Sequence, residues 1–192
     1  MMDTYANLQA SISNWMGRSD IDPQIPDFIQ IVESQLNNNP DFRIQEMICK
    51  AQSTISDNEI GLPVDYLGMR LLRYRDGAEI PQIAPARLHE CYPSSLAFSN
   101  IGQRLELNNT VSDLDIDLFY YQQIPALSDT NTSNWLLALS PSIYLYGALV
   151  AASSFLKDDP RVPLWAQQYQ AEVAGMINAD KTDRWSGTVR MA

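Results

Sequence analysis

The residues most capable of covalent chemistry lie together at His89, Glu90 and Cys91, a segment that contains the only histidine of the chain. A cysteine nucleophile needs a base within hydrogen-bonding distance. Pro85 predicts a short helix through Leu88 to Cys91, and neighbouring residues on a helix point in different directions. We therefore expect no Cys-His pair here. The sequence also lacks P-loop, dinucleotide, nucleophile-elbow and zinc motifs, so we expect neither an enzyme nor a bound cofactor.

Three carboxylates alternate with apolar residues at Asp113, Asp115 and Asp117. Hard cations such as Ca²⁺ and Mg²⁺ favour oxygen ligands of this kind. A strand, however, places alternate side chains about 7 Å apart, which is wide for one ion. The loop and glycine of a usual calcium site are also missing. The alternation is typical of a half-exposed strand, and we expect no metal site.

The chain is acidic, with 13 basic and 23 acidic residues among 192 and a formal net charge of -10. Proteins that grip nucleic acid by its phosphates cluster Lys and Arg, and here the basic residues are scattered. The first residues have neither the basic region nor the apolar core of a secretory signal, so we expect the protein to stay where it is made. Cys49 and Cys91 lie far apart, and both are expected to be reduced.

The element that the rest of the chain must surround is a helix that begins at Ser140-Pro141, with Ser as the cap and Pro at the first helical position. From Ile143 to Leu156 no residue carries a charge, which predicts burial on every face. The run is too short for a membrane span. Gly147 and its small neighbours leave one side almost bare, so another helix is expected to pack there.

A second C-terminal helix is predicted to open at Asp158-Asp159-Pro160, where acidic groups suit the positive end of the helix dipole. Its apolar residues recur at three- and four-residue spacing, and we interpret its aromatic residues as core rather than ligand-binding groups. The stripe consists of Val162, Trp165, Ala166, Tyr169, Val173, Met176 and Ile177. With Tyr144 and Tyr146, Trp165 and Tyr169 are expected to be packing residues.

The N-terminal forty residues predict a helical hairpin. Residues 3–17 place apolar side chains on one face after a possible Asp3 cap, and Gly17 ends the run. A second helix is predicted to begin at Asp22-Pro23 and to end before Pro40, with Pro26 tolerated in its first turn.

Residues 44–125 are predicted to be rich in β-strands, unlike the helical segments on either side. Strands are predicted at 44–55 and 68–74, the second followed by the hairpin signal Asp76-Gly77 and a return strand around Ile80 and Ile83. Residues 104–107 and 113–121 predict a further pair of strands.

These elements define an α+β fold: a mainly α-helical bundle, built from the N-terminal helical hairpin and two long C-terminal helices, with an inserted β-rich subdomain. We predict a single structural unit over 1–192, with the bundle at 1–43 and 132–182 and the β-rich insertion at 44–125.

The chain resembles the head-to-tail adaptor, or connector, proteins of tailed bacteriophages. The resemblance rests on LPVDYLGMRLLRYRDG at 62–77, PARLHECYP at 85–93 and above all the segment 120–180, which contains IPAL, Asn-Trp-Leu, Tyr-x-Tyr-Gly-Ala-Leu and Phe-Leu-Lys-Asp-Asp. These are core and turn residues, so they bear on fold and assembly rather than on catalysis.

The resemblance implies a structural virion protein in the head-tail neck, assembled in the bacterial host cytoplasm, with no membrane partner. It implies a ring, commonly of twelve copies, between the portal protein and the tail or nozzle protein. DNA would pass through the lumen without specific binding, and Asp113, Asp115 and Asp117 are candidates for acidic residues that face it. If the acidic residues are instead spread evenly around the subunit, solubility alone explains the net charge.

Two alternatives remain open. One is a tail-completion or gatekeeper subunit lower in the neck. The other, from a different class, is a small-ligand-binding module, although the sequence shows no set of convergent polar groups.

For portal docking, the candidates are Lys181, Arg184, Trp185 and Arg190. They lie beyond Asp180, in a segment expected to follow the last helix and to have no fold of its own, so that a frayed terminus is an equal alternative.

Overall fold

The structure is a computed structural model. It describes residues 2–55, 57–75, 77–90, 95–155 and 159–185, and for residues 89, 90, 154 and 185 it describes the backbone only. Within these residues the fold is α+β, with five α-helices and two three-stranded antiparallel sheets. The chain divides into two compact units, one formed by the described residues up to Glu46 and from Ile124 onward, the other by Met47–Gln123.

The first unit is helical. Its α-helices are α1 Tyr5–Met16, α2 Ile25–Asn38, α3 Trp135–Leu139, α4 Pro141–Ala151 and α5 Val162–Trp185.

Helix α1 ends as predicted at Gly17. The backbone of Gly17 has a φ of 69°, which residues other than glycine rarely adopt. The predicted cap is wrong by one residue. The Thr4 hydroxyl accepts the hydrogen bond from the Asn7 backbone N–H at 3.3 Å, whereas the Asp3 carboxylate accepts from the Asn7 side chain at 2.7 Å. The buried side chains of α1 include Leu8 and Ile12.

Helix α2 begins one turn later than predicted. Residues Asp22–Gln24 form a 3₁₀ turn, and the α-helix starts at Ile25. The reason is Pro26: an α-helix from Asp22 would need a hydrogen bond from the nitrogen of Pro26 to the Asp22 carbonyl, and proline has no N–H.

Helix α4 contacts α1, α2 and α5, and Tyr144, Ala148 and Leu149 are fully buried. The prediction of a neighbour against Gly147 is confirmed. A Cβ atom at Gly147 would lie 2.7 Å from Val32 Cγ2 and 3.0 Å from Tyr169 Cε2, so only glycine allows this approach without a shift.

Both ends of α4 differ from the prediction. Pro141 does begin the helix, but Ser140 makes no side-chain cap hydrogen bond. It ends α3 instead, since its N–H donates to the Leu136 carbonyl at 2.8 Å. The short helix α3, capped by the Asn134 side chain, was not predicted. At its other end α4 stops at Ala151 and continues as a 3₁₀ turn; Leu156 lies outside the described residues.

Helix α5 begins at Val162 rather than at Pro160, and Asp158 lies outside the described residues. The Asp159 carbonyl accepts from the Val162 N–H at 3.2 Å, and its carboxylate accepts from the Arg161 N–H at 2.9 Å. Trp165 is buried, as predicted. After Trp165, the apolar residues that continue the stripe along the described part of α5 are only partly buried, so the stripe is not fully covered.

The second unit consists of two sheets. Their strands are β1 Ile48–Ile55, β2 Glu59–Gly61, β3 Tyr66–Tyr74, β4 Phe98–Ile101, β5 Arg104–Leu107 and β6 Leu114–Gln122. The orders are β1-β6-β3 and β2-β5-β4. One cluster of buried side chains from both sheets, including Leu72, Phe98, Leu105, Ile116 and Leu118, forms its core.

Four features of this unit were predicted wrongly. Strand β1 begins at Ile48 rather than at Ile44, because Gln45–Met47 form a 3₁₀ turn. The strands β5 and β6 do not pair with each other, since each is the middle strand of a different sheet. The return strand at Ile80 and Ile83 is not formed. Pro81 has no N–H for a ladder, and this stretch makes only isolated bridges. The short strands β2 and β4 were missed.

The turn predicted after Tyr74 is present, since the Tyr74 N–H donates to the Ala78 carbonyl at 3.1 Å; Asp76 itself lies outside the described residues. Pro85–Glu90 form a 3₁₀ helix rather than an α-helix.

Candidate partner-binding surfaces

The predicted acidic run lies at and within β6. Asp113 is exposed before the strand with a φ of 50°, while Asp115 and Asp117 occupy one face of the sheet. The side chain of Asp117 is only 1% exposed. Its Oδ1 accepts from Gln52 Nε2 at 2.9 Å, and its Oδ2 lies 3.0 Å from Lys50 Nζ and 3.1 Å from Arg73 Nη2.

These partners keep Asp117 ionised. The hydrogen bond from Gln52, together with those from Lys50 and Arg73, lowers the pKa of Asp117 to about 2. The two cations also lie over the Phe119 ring, at 5.6 and 5.0 Å from its centroid. The carboxylate is therefore part of a network of cross-strand pairs.

Asp115 is paired in the same way. Its Oδ2 lies 2.6 Å from Arg75 Nη1, and its Oδ1 accepts a short hydrogen bond from the Thr54 hydroxyl. Asp115 and Asp117 are thus paired with the cations of Lys50, Arg73 and Arg75. Within the described residues, no group of three His, Cys, Asp or Glu side chains is placed to hold a metal ion.

The predicted portal-binding residues lie at the end of α5. The expectation that the chain beyond Asp180 has no fold of its own is wrong as far as Trp185, because α5 continues to that residue. The Thr182 hydroxyl donates to the Asn178 carbonyl at 2.9 Å, and Arg184 Nε lies 2.8 Å from Asp180 Oδ2, one helical turn away. Lys181 is exposed. Only the backbone of Trp185 is described, and Arg190 lies outside the described residues.

Arg184 makes contacts within its own unit. It donates a short hydrogen bond to the Arg43 carbonyl, and Asp180 Oδ1 accepts from the Gln45 N–H at 2.7 Å. A cation in the last turn also stabilises the negative end of the helix dipole. Arg184 therefore fixes the end of α5 against residues 43–45.

A groove of about 700 Å³ lies beside this junction. We call it the acidic groove, because four carboxylates stand along an otherwise mostly small or apolar lining. It is formed by Ile44, Gln45, Glu46, Leu139, Ser140, Ala171, Glu172, Gly175, Met176, Ala179, Asp180 and Asp183. Sequence reasoning missed it, because its walls come from three separate stretches of the chain.

A buried hydrogen-bond network joins α2, α4 and the segment before α3. Glu33 Oε1 accepts from the Tyr144 hydroxyl at 2.9 Å and from the Leu127 N–H at 3.0 Å. Asn134 Nδ2 donates to the Tyr144 hydroxyl at 2.7 Å and to the Pro125 carbonyl at 2.8 Å. Burial raises the pKa of Glu33, against the two hydrogen bonds, and burial raises the pKa of Tyr144.

This network gives a structural role to several residues in the segments that carry the family resemblance. The IPAL stretch at 124–127, Asn134 and Tyr144 belong to the segments that carry the family resemblance, and the network connects them. Glu33 was missed as a member. Its position within the apolar stripe of α2, one residue after Val32, was the available signal. A polar group so deeply buried normally requires partners.

The described residues show no catalytic arrangement. The side chain of His89 and the whole of Cys91 lie outside what the structure describes, so the expectation about this pair stays a prediction. None of the described helices has the length and apolar character needed to cross a bilayer.

The described residues thus form a packed helical unit, a sheet whose charges are paired and a partly covered surface on α5. The comparison with protein families identifies the class: residues 3–192 match the model of the SU10 adaptor protein family. The chain belongs to this family of phage head-to-tail adaptors. Among curated proteins no match was found.

Membership supports several statements. The protein is a bacteriophage structural adaptor and a component of the virion. Such adaptors interact with portal and tail proteins in the phage neck and are not normally enzymes.

Proposed function

We propose that the protein forms a closed ring of identical subunits, twelve in number, between the portal and the tail of a tailed phage, and that DNA passes through the ring. The observation that carries this proposal is the family match, which covers nearly the whole chain. A ring also accounts for the partly covered stripe of α5, because a subunit of a closed assembly keeps surfaces for its neighbours.

We propose further that the end of α5 docks onto the portal through Lys181, Trp185 and Arg190. The exposure of Lys181 and the helical continuation to Trp185 support this assignment. The sequence also suggested Arg184 as a portal-binding residue. We propose that it contributes indirectly, because its bonds to Asp180 and Arg43 hold the helix end in place.

The test is attachment of purified protein to portal-bearing heads. A chain that ends after Trp185, combined with Lys181→Gln, keeps the contacts of Arg184 and is expected to fold normally and to lose attachment. Truncation after Asp180 is a poorer test, because it also removes Arg184. The matched control is Arg70→Gln, an exposed cation of β3. If the truncated variant attaches at the normal level, the portal contact lies on another surface.

For the lumen we propose a role for Asp113 rather than for the whole acidic run. Asp115 and Asp117 share their charge with three cations, whereas Asp113 is exposed. An acidic lumen repels DNA and lets it slide. We expect Asp113→Lys to slow DNA ejection from otherwise complete particles, with Glu79→Lys as the control for an equal change of charge. Equal slowing in both variants would attribute the effect to net charge.

The position of the ring separates this proposal from a gatekeeper lower in the neck. An adaptor remains on the portal of heads that have no tail. A gatekeeper does not bind such heads in the absence of an adaptor.

A further inference from the structure

The acidic groove has an exposed apolar lining. Leu139 is 58% exposed at the end of α3, and Met176 is half-buried on the facing side of α5. Between them Gly175 and Ala179 leave room along α5, so the lining can receive side chains of another molecule. Covering this exposed apolar surface with apolar side chains of a partner removes it from water, which favours binding.

The charged side chains that line the groove are carboxylates. Glu46 is exposed on the wall formed by residues 44–46, and Glu172, Asp180 and Asp183 stand along α5. Asp180 is paired with Arg184 and accepts from the Gln45 N–H, so the charges that the groove offers to a partner are those of Glu46 and Glu172. These two carboxylates give the rim of the apolar floor a negative field, which attracts cationic partners.

The groove is held open by bonds across its walls. Gln45 N–H donates to Asp180 Oδ1, and Arg184 joins α5 to the Arg43 carbonyl. Because these contacts fix the two walls to each other, little ordering has to occur when a partner binds, and binding to a preformed site is less costly.

We propose that the acidic groove is a docking site for a cationic segment of a different protein, with apolar side chains that contact Leu139 and Met176 and with Lys or Arg side chains that meet Glu46 and Glu172. Charge complementarity supports this occupant, because the carboxylates of Glu46 and Glu172 are opposite in sign to Lys and Arg side chains. A second copy is the alternative occupant, which self-association measurements distinguish. The inference goes beyond the proposed function and does not require the ring.

The probe is a short amphipathic peptide of Leu and Lys, titrated into the full-length chain by calorimetry at low salt. The same peptide with Glu in place of Lys is the control. We expect the Lys peptide to bind and the Glu peptide not to bind. Raising the salt concentration is expected to weaken binding, since the contributing charges lie near solvent.

Two pairs of variants locate the binding. Glu46→Gln with Glu172→Gln removes two rim charges and is expected to weaken peptide binding about five- to tenfold. Glu79→Gln with Glu106→Gln changes the net charge equally in the second unit and is expected to leave it unchanged. Leu139→Ser tests the apolar floor. Leu164→Ser is its control, because Leu164 is similarly exposed at 55% but does not line the groove.

Equal weakening by both charge pairs would overturn the proposal, because the peptide would then respond only to net charge. An unchanged affinity in Leu139→Ser would also overturn it. If the groove variants change self-association in sedimentation experiments but not peptide binding, the occupant is a second copy and the proposal is wrong. Failure of any of these tests leaves the proposed neck function intact, because that function is read from attachment to portal-bearing heads.

Discussion

Tyr144 provides the sharpest test of how the helical unit is held together. Its hydroxyl is fully buried, donates to Glu33 and accepts from Asn134, at 2.9 and 2.7 Å. Tyr144→Phe keeps the ring and removes only the oxygen, so the core stays filled while the network loses its centre.

The expected cost follows from these contacts. A hydrogen bond to a charged group contributes about 1.5–3 kcal/mol, and a buried polar group left without a partner costs about 1–3 kcal/mol. The lost bond and the orphaned Asn134 N–H overlap in part, since Asn134 still donates to Pro125. We therefore expect Tyr144→Phe to lower the free energy of unfolding by about 2–4 kcal/mol.

Chemical denaturation followed by tryptophan fluorescence measures this change. All four tryptophans, Trp15, Trp135, Trp165 and Trp185, belong to the stretches that form the helical unit, so the signal reports its unfolding.

The control is Tyr146→Phe, two residues further along α4. Tyr146 is half-buried, and its described contact is an edge-to-face contact of its ring with Trp15. Removing its hydroxyl is expected to change stability by less than about 0.5 kcal/mol. A loss below about 1 kcal/mol for Tyr144→Phe, or equal losses in both variants, would refute the role assigned to the network.

Three further predictions concern other contacts. Trp165→Ala should cost about 3–5 kcal/mol in unfolding free energy and yield poorly soluble protein, because Trp165 is only 3% exposed; a well-folded variant would contradict its place in the core. Gly147→Ala should destabilise by about 1–3 kcal/mol despite the better helix propensity of alanine, since the new Cβ meets Val32 at 2.7 Å, and Val32→Ala should rescue it in the double variant. Asp117 has a lowered pKa, so its contribution to stability is present above its ordinary value of 3.8 and is lost as the pH falls through about 2. The difference in amide-exchange protection of β6 between the parent and Asp117→Asn should therefore be constant above about pH 4 and shrink below it; a difference that does not vary down to pH 2 would contradict this.

The sequence was most informative where periodicity and proline positions agreed. The burial of α4, the close approach at Gly147 and the end of α1 at Gly17 all followed from local patterns. The errors in helix starts have a common cause. At Asp22 and at Asp159 a cap signal precedes proline, and the chain makes a tight turn before the α-helix begins.

The sheets were harder to predict because pairing is not local. The strands predicted at 104–107 and 113–121 were recognised individually, but β6 pairs with β1 and β3, and β5 pairs with β2 as well as with its neighbour β4, so most of the pairing joins segments distant in sequence. Strand β4 could have been predicted in part from Gly102, because a glycine just before a predicted strand indicates a tight turn. In the structure Gly102 has a φ of 66° and lies in the turn between β4 and β5.

The candidate surfaces show the same limit. The alternation of aspartates placed Asp115 and Asp117 correctly on one face, but their partners Lys50, Arg73 and Arg75 come from other strands. Arg184 was recognised as a cation at the chain end, whereas its bond to the carbonyl of Arg43 depends on tertiary structure. The acidic groove could not be predicted for the same reason.

The central claim is that this adaptor forms a ring on the portal, and imaging of purified heads tests it most directly. Tailless, portal-bearing heads should be incubated with the protein and compared with untreated heads by averaging the portal vertex. We predict an added ring of closed symmetry, twelvefold, directly beneath the portal, with its mass confirmed by native mass spectrometry. Binding elsewhere on the shell, or no added density while complete virions contain the protein lower in the tail, would contradict the account.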